Sequence, residues 1–148
     1  MDMEIPAYKL TSALRGVLAQ RLMRKVCPSC STQRTINDVE SDFTGLPLGT
    51  KVRFANALNA EEKQKRKQEG TLCTRCNGTG YQGRIGTYEL MKMTSNICDA
   101  IKHQKTTREI EAIAKKDGML TLKTYAVDLI TKQLTTISEL RKICNTDH

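Results

Sequence analysis

The chain has no tryptophan and very few aromatic residues, which make up 4% of its 148 residues. A core without large rings must be built from Leu, Ile, Val and Met. Long apolar runs are also missing, because no stretch approaches the roughly 18 apolar residues of a membrane-spanning helix. The first residues do not show the pattern of a secretory signal. We therefore expect a cytoplasmic protein with an aliphatic core.

Catalytic motifs are the second absence. The sequence contains no G-x-x-x-x-G-K-[ST] phosphate loop and no G-x-G-x-x-G placed after a strand. The glycine-rich run GTGYQGRIG follows a cysteine turn, which disfavours phosphate binding there. His103 and His148 have no nucleophile partner in the sequence and are interpreted as ordinary exposed histidines. The sequence therefore predicts no catalytic residue and no cofactor-binding residue, and no ATPase activity of this chain alone.

The chain has a strong positive charge, with a formal net charge of +8. Much of it lies in the basic run Lys63–Lys67, which acidic residues flank on both sides. We interpret this run as a solvated helix face with local ion pairs. Contact with an acidic phospholipid or a nucleic acid remains the alternative, although the scarcity of aromatics disfavours stacking on single strands.

Two C-x-x-C steps carry the clearest chemical signal in the sequence. Cys27 and Cys30 form the first step, and Cys73 and Cys76 form the second. Two such steps can supply the four thiolates of a closed tetrahedral Zn²⁺ site, and a closed site has a structural role because no position is open for water. Six cysteines in a reducing compartment favour metal or free thiols over disulfides. A redox C-x-x-C and four unused buried thiols remain the alternatives.

Residues around the cysteine pairs support the metal prediction. Gly78 and Gly80 can take the positive φ that a turn around a metal needs, and they allow backbone N–H groups to approach the sulfurs. Three cations lie near the cysteines in sequence and could offset the charge of four thiolates: Lys25, Arg34 and Arg75. Cys98 and Cys144 lie outside the pattern and are predicted to be small buried apolar residues.

Apolar spacing predicts most of the secondary structure. Apolar residues fall four apart at Leu10, Leu14, Leu18, Leu22 and Val26, which predicts an amphipathic helix over Lys9–Lys25. Residues 31–58 are weakly patterned and are predicted to be loops and turns. Asn59 with Glu62 is a capping signal for a short helix that ends near Glu69 and Gly70.

Alternation in YQGRIGTYELMKM predicts a strand or ribbon after the second cysteine pair. Capping boxes at Thr106 and Thr136 open two of the short helices predicted after it. The predicted fold class is therefore mostly α with a small β-ribbon. In this prediction a zinc-clipped subdomain is followed by a bundle of short helices, and the helices after Thr94 keep some structure without metal.

Four segments of the sequence resemble one protein family. IPAYKLTSALRGVLAQRLMRKVCPSC, CTRCNGTGYQGRIGTYEL, KKDGMLTL and LTTISELRKI look like the C-terminal part of the type II secretion and type IV pilus assembly ATPases. The resemblance implies that Cys27, Cys30, Cys73 and Cys76 correspond to the family's zinc-binding tetracysteine motif. It also implies that ATP binds only to other parts of a full-length protein.

The resemblance further implies a fragment or truncated relative of a cytoplasmic, hexameric motor that lies at the inner membrane and acts on a polytopic platform protein. We then expect residues 1–26 to be a helix at the end of a RecA-like core. Residues 27–90 would form the tetracysteine subdomain and residues 91–148 a helical bundle. Self-association of this chain through the apolar face of the first helix is expected as well, with folding of that helix back on the C-terminal bundle as the alternative. The alternative function is a free-standing basic zinc module that contacts nucleic acid.

Overall fold

The computed structural model describes residues 5–145, in a mixed and mostly helical fold with small two-stranded sheets. This confirms the predicted fold class. The helices are α1 Ala7–Ala13, α2 Asp38–Thr44, α3 Ala60–Gln68, α4 Ser95–Lys102, α5 Thr107–Lys116, α6 Leu122–Thr131 and α7 Ile137–Cys144. The strands are β1 Gly16–Val26, β2 Thr32–Thr35, β3 Lys51–Phe54 and β4 Tyr81–Lys92. Among the described residues, no helix is long and apolar enough to cross a bilayer.

The strands form two separate pairs, β1 with β4 and β2 with β3. In the β2–β3 pair the strands are antiparallel, with Thr32 opposite Phe54. The β1–β4 pair is antiparallel too, because the Met93 N–H donates to the Arg15 carbonyl at one end and the Cys27 N–H donates to the Gly80 carbonyl at the other. The long predicted ribbon segment is thus confirmed as β4.

The described residues form two compact units. The first contains residues up to 20 together with 88–122, and the second contains 21–87 together with residues from 123 onward. The predicted division of the whole chain at residues 26 and 90 stays a prediction about domains.

In the first unit, α4 packs against α1 and α5. The buried side chains of this unit are Ile97, Ala100 and Ala114. Thr94 caps α4 by accepting a hydrogen bond from the Ile97 N–H, and its hydroxyl donates to the Asp117 carboxylate. Helix caps and helix–helix contacts therefore hold this unit together.

The second unit has a larger core, made of aliphatic side chains as the composition predicted. Strands and helices both supply it: Met23, Val26, Ile36, Val52, Ala126, Leu129, Ile130, Ile137, Leu140 and Ile143. The Val26 N–H donates to the Leu134 carbonyl, and the Thr135 hydroxyl donates to the Arg24 carbonyl. These bonds attach the end of β1 to the loop between α6 and α7, which fixes the residues that lead into the first cysteine pair.

The predicted helix over Lys9–Lys25 is wrong beyond Ala13. Helix α1 ends there because Leu14 takes an extended conformation, and β1 follows from Gly16. A spacing of four residues returns a side chain to one face of a helix, but it also does so in a strand, where every second residue shares a face. Pairing with β4 therefore decides a choice that the apolar spacing leaves open.

The prediction of loops and turns for residues 31–58 is also wrong in part, since β2, α2 and β3 lie there. Helix α2 begins with a full capping box, in which Asn37 and Glu40 exchange hydrogen bonds, and it ends at Gly45 with φ +76°. That capping signal was present in the sequence as Asn37-x-x-Glu40. The weak apolar pattern concealed it, because the buried residues of this short helix, Glu40 and Thr44, are polar.

The remaining capping predictions fared better. Asn59 and Thr106 form the predicted capping boxes, and Gly70 and Gly118 take positive φ after their helices. Thr136 caps α7 by accepting from the Glu139 N–H. The Glu139 carboxylate, however, bonds to Arg24 instead of closing the box.

Candidate metal centre

The structure brings the four predicted cysteines together. Their sulfur atoms all lie within 4.8 Å of one another, and Cys27 and Cys76 are buried while Cys30 and Cys73 are partly exposed. The Cys27 and Cys73 sulfurs are 3.9 Å apart, and those of Cys30 and Cys76 are 3.5 Å apart. All six cysteines are free thiols, so no disulfide competes for these sulfurs. Four thiols at these distances can hold a metal ion.

Each C-x-x-C step lies on the same kind of turn. The Cys27 carbonyl accepts from the Ser31 N–H at 3.1 Å, and the Cys73 carbonyl accepts from the Asn77 N–H at 2.9 Å. In both steps the backbone therefore turns back on itself, so that both thiols of a pair point the same way. Asn77 has φ +49°, a left-handed conformation that asparagine tolerates better than most residues.

The segment 55–58 bonds to both cysteine turns. The Asn56 side-chain amide donates to the Cys30 carbonyl at 2.8 Å, and the Leu58 N–H donates to the Gly78 carbonyl at 2.9 Å. Hydrogen bonds to this segment therefore connect the two cysteine turns to each other without any metal. Part of the long interval between the cysteine pairs lies at the site itself.

Glycine is required at position 80 for two reasons. Its φ is +75°, as predicted, and a Cβ there would lie 2.8 Å from the Ala57 nitrogen and 2.9 Å from the Asn56 carbonyl carbon. No side chain fits so close to another backbone. The Gly80 carbonyl also accepts from the Cys27 N–H. Gly78 has the predicted positive φ as well, at +76°.

The surroundings of the thiols act in opposite directions. Burial raises the pKa of the Cys30 thiol, and its contact with the Cys76 sulfur raises it further. Hydrogen bonds from the backbone N–H groups of Cys76 and Arg75 lower the pKa of the Cys73 thiol to about 7. The sequence predicted that backbone N–H groups would approach the sulfurs near Gly78 and Gly80. The two donors to Cys73 instead belong to Arg75 and Cys76, within the cysteine turn itself.

Arg34 does not serve the thiolates as predicted. Its guanidinium bonds to both Glu40 carboxylate oxygens, at 2.7 and 2.8 Å, and lies 3.4 Å from the centre of the Phe54 ring. The hydrogen bonds from Arg34 lower the pKa of the Glu40 carboxyl. The positive charge of Arg34 is therefore neutralised by a buried acid on α2.

A second arginine–glutamate pair, Arg24 with Glu139, lies in the same unit. Glu139 is only 5% exposed and accepts from the Arg24 Nε, Nη2 and backbone N–H, as well as from the Lys142 Nζ. Burial alone would raise the pKa of Glu139, but the hydrogen bonds from Arg24 and Lys142 overcome it and hold the pKa at about 2. Arg24 also lies 3.8 Å from the centre of the Tyr81 ring.

Sequence reasoning missed both pairs. Arg24 and Glu139 are 115 residues apart, and only the tertiary fold brings them together. Glu40 and Glu139 occupy the third position of a helix, where an acid is already explained by capping. No local pattern separates a capping acid from one that also binds a distant arginine.

The other predicted residues lie apart from the sulfur cluster. Cys98 and Cys144 are partly exposed, not buried as predicted. His103 is exposed, as expected, and His148 lies outside the described residues. Among the residues that the structure describes, no other group of three or more Cys, His, Asp or Glu side chains converges as the four cysteines do.

Helix α3 carries the basic run and is exposed throughout. The predicted local ion pairs are not found among the described residues. Instead, Glu62 accepts from the Asn59 N–H in the capping box. Contact of the basic run with lipid or nucleic acid stays a prediction.

Comparison with known proteins gives consistent matches along the chain. Residues 1–142 match the family described as "Type II/IV secretion system protein". The chain is 34% identical over 139 residues to the "Type IV pilus assembly ATPase PilB" of Thermus thermophilus, covering 94% of this chain and 14% of that protein. It is 32% identical over 142 residues to the "Type II secretion system protein E" of Dickeya dadantii, covering 96% of this chain and 25% of that protein.

A protein of the same name from Aeromonas hydrophila is 31% identical over 146 residues, which is 99% of this chain and 26% of that protein. The chain therefore spans about a quarter or less of these curated relatives.

Proposed function

The chain belongs to the type II/IV secretion system protein family, and we propose that it is the zinc-binding structural part of an ATPase that drives protein secretion or pilus assembly. The observation that carries the proposal is the convergence of Cys27, Cys30, Cys73 and Cys76 in a segment whose relatives are named for these two processes.

Zinc is the metal that fits this donor set. Four thiolates favour zinc over harder cations, which prefer oxygen ligands. A tetrahedral site with Zn–S bonds of about 2.3 Å has sulfur–sulfur distances of about 3.8 Å. Two of the cross-pair distances, 3.5 and 3.9 Å, lie on either side of that value. A small adjustment of the side chains would therefore be enough for binding.

The role of the bound metal is structural. Four cysteine ligands complete a tetrahedral shell, so no position is left for a reacting water. The metal would join the turn after β1 to the turn before β4, whose backbones already meet through Cys27 and Gly80. Because the sequence has no phosphate loop, ATP would bind elsewhere in a full-length protein, and this part would transmit movement.

The family supports the remaining assignments. Members named as secretion or pilus assembly proteins are the relatives found, so we propose a cytoplasmic motor that is hexameric when full length and peripheral to the inner membrane. An inner-membrane platform protein would be its partner. These assignments rest on the resemblance, and the metal site rests on the geometry.

Elemental analysis and mutation test the two parts separately. The chain purified without added metal should contain one zinc per molecule. The Cys73→Ser variant should lose it, while Cys98→Ser, the matched control outside the cluster, should keep it. Absence of zinc in the unaltered chain would refute the metal assignment.

The motor assignment needs the full-length protein that contains this segment. There, Cys73→Ser should lower ATP-dependent secretion or pilus assembly, and Cys98→Ser should not. If Cys73→Ser removes the zinc but leaves the cellular output unchanged, the structural site stands and the force-transmitting role is refuted.

A further inference from the structure

A basic cleft lies within the second unit, and none of the four cysteines is among its lining residues. The cleft is open to solvent and has a volume of about 780 Å³. The ends of β1 and β4, the strand β3 and the end of α6 form its walls. Its lining residues are Lys25, Val26, Pro28, Arg53, Gln82, Gly83, Arg84, Thr131, Lys132, Gln133 and Leu134.

The lining contains four cations and no acid. Lys132 is paired with Asp128, 2.6 Å away on α6. Lys25, Arg53 and Arg84 pair with no carboxylate among the described residues. By contrast, Arg24 and Arg34 in the same unit are both paired with a buried glutamate. The cleft thus concentrates about three uncompensated positive charges, a potential that attracts an anion.

A bulge in β4 forms one wall of the cleft. Successive residues of a regular strand face opposite sides, yet Gln82, Gly83 and Arg84 all line the cleft. Gly83 has φ +76°, which breaks the alternation at this point. The absence of a side chain at Gly83 leaves room beside Lys25, whose Cδ is 4.0 Å from the position of a Cβ there.

Arg53 is fixed in place by neutral partners. Its guanidinium donates to the Ser31 hydroxyl at 2.9 Å and to the Gln133 side-chain oxygen at 3.3 Å. Gln133 is itself held, because its side-chain oxygen also accepts from the Gln33 amide. These bonds orient the guanidinium without neutralising it, so a ligand would meet a charge that is already positioned.

One feature of the cleft opposes an anion. The C-terminus of α6 lies at its edge, and a helix C-terminus carries roughly half a negative charge. Its last carbonyls are already engaged, since the Leu134 N–H donates to Leu129 and the Gln133 N–H donates to Ile130. The helix end is therefore outweighed by the three unpaired cations.

We propose that this cleft binds a phosphate-bearing anion. Guanidinium and ammonium groups are the usual partners of phosphate oxygens, and arginine can bind two of them at once. The volume exceeds that of one inorganic phosphate, so a diphosphate or a phosphorylated headgroup fits better. The proposal does not rest on the proposed motor function. No cysteine lines the cleft, but Pro28 of the first C-x-x-C step does, so one wall of the cleft adjoins the cysteine cluster.

A titration with two sources of phosphate tests the proposal. Pyrophosphate is titrated into the full chain and followed by amide chemical shifts, which should move most at Gln82, Gly83 and Arg84. Vesicles of phosphatidylglycerol with phosphatidylcholine, compared with phosphatidylcholine alone, test a lipid headgroup as the source. The binding should weaken with added salt.

Two double variants with equal loss of charge decide the location. K25Q/R84Q removes two cleft cations that make no ion pair, so the variant should stay folded. Well-dispersed amide chemical shifts would verify this. K63Q/K67Q removes two cations from the exposed helix α3. K25Q/R84Q should weaken binding about tenfold or more, the loss of about 1.4 kcal/mol or more, and K63Q/K67Q by about twofold or less.

The outcomes separate clearly. Pyrophosphate binding that K25Q/R84Q removes supports a soluble phosphate ligand, and vesicle binding alone with the same sensitivity supports a phosphorylated headgroup. Absence of binding to either probe overturns the proposal. Equal losses in the two double variants also overturn it, because net charge and not the cleft would then explain the binding.

Discussion

The two units of the chain differ in what they bury. The first unit buries Ile97, Ala100 and Ala114, of which only Ile97 is large. Large apolar side chains remain exposed in the same unit: Ile5, Tyr8, Leu14, Val17, Leu18, Tyr88, Leu90 and Leu120. The second unit buries ten aliphatic side chains of its core and exposes Leu22, Val39 and Leu48. Among residues 5–145, only those of the second unit therefore form a substantial core.

Their polar groups differ in the same way. Ion pairs of the first unit are exposed helix pairs, such as Lys115 with Glu111, and such pairs contribute little. The second unit contains the buried carboxylates Glu40 and Glu139, each bonded to an arginine, as well as the cysteine cluster. Loss of a single group should therefore cost much more in the second unit than in the first.

Loss of the proposed zinc should produce the largest effect and separate the two units. In Cys73→Ser, amides of residues 27–36 and 72–82 should exchange at least about a hundredfold faster, because structural zinc contributes on the order of 10–16 kcal/mol in small peptides. Amides of α5 should change little, since that helix has its own capping box and buried Ala114. Hydrogen exchange measured by segment reports both.

Cys98→Ser is the control for this experiment, since that thiol lies outside the cluster. Equal loss of protection in α5 and around the cysteines would show that the two units fold together. The two units would then differ in which side chains they bury but not in their stability. The sequence predicts that the helices after Thr94 keep some structure without metal. Because β1 is hydrogen-bonded to the loop between α6 and α7, we expect α6 and α7 to lose more protection than α4 and α5.

Neutralising Glu139 should give the next largest effect. Glu139→Gln leaves the Arg24 guanidinium without its counter-charge and weakens the four hydrogen bonds that the carboxylate accepts, so the free energy of unfolding should fall by about 2–3 kcal/mol. Glu111→Gln, which breaks an exposed pair in the first unit, should change it by less than about 0.5 kcal/mol. Urea unfolding measures both variants, and similar losses would remove the contrast.

Acid should reduce the contribution of Glu139 in a defined range of pH. The folded pKa of about 2 lies below the unfolded value of about 4.3, so the folded state favours the charged form. Its contribution is complete above about pH 4.3 and is lost as the pH falls towards 2. The stability gap between the unaltered chain and Glu139→Gln should therefore be constant from pH 7 to 5 and shrink below it. Because both proteins contain the four cysteines, acid release of the proposed zinc would affect them alike. A gap that shrinks above pH 5 would contradict the depressed pKa.

The sequence predicted what local rules determine. Cysteine spacing identified the four thiols, and Asn59 and Thr106 identified helix starts, because these features depend on neighbours along the chain. Leu18 and Leu22 could not be assigned to a strand from the sequence, since a spacing of four residues fits both a helix and a strand. Only the pairing of β1 with β4 distinguishes the two. The Arg24–Glu139 pair and the basic cleft depend on residues far apart in sequence. The family resemblance implied that the four cysteines bind a metal, but it did not indicate these contacts.

The smallest effect on stability is expected at the exposed apolar residues of the first unit. Leu18 is 61% exposed and Val17 is 45% exposed, and as neighbours in β1 they face opposite sides. Leu18→Ser should change the free energy of unfolding by less than about 0.5 kcal/mol, because little packing is lost. If the apolar residues of this unit mediate the predicted self-association, Leu18→Ser should nevertheless weaken it, since an exposed Leu that becomes buried contributes about 1.5–3 kcal/mol.

Light scattering over a range of concentrations measures the self-association, with Val17→Ser as the control for the opposite face of β1. A monomer at all concentrations before any substitution would refute self-association, and an equal effect of both variants would place the contact on neither face in particular. A large loss of stability in Leu18→Ser would instead mean that the first unit packs this side chain, and the contrast between the two units would be weaker than their buried residues indicate.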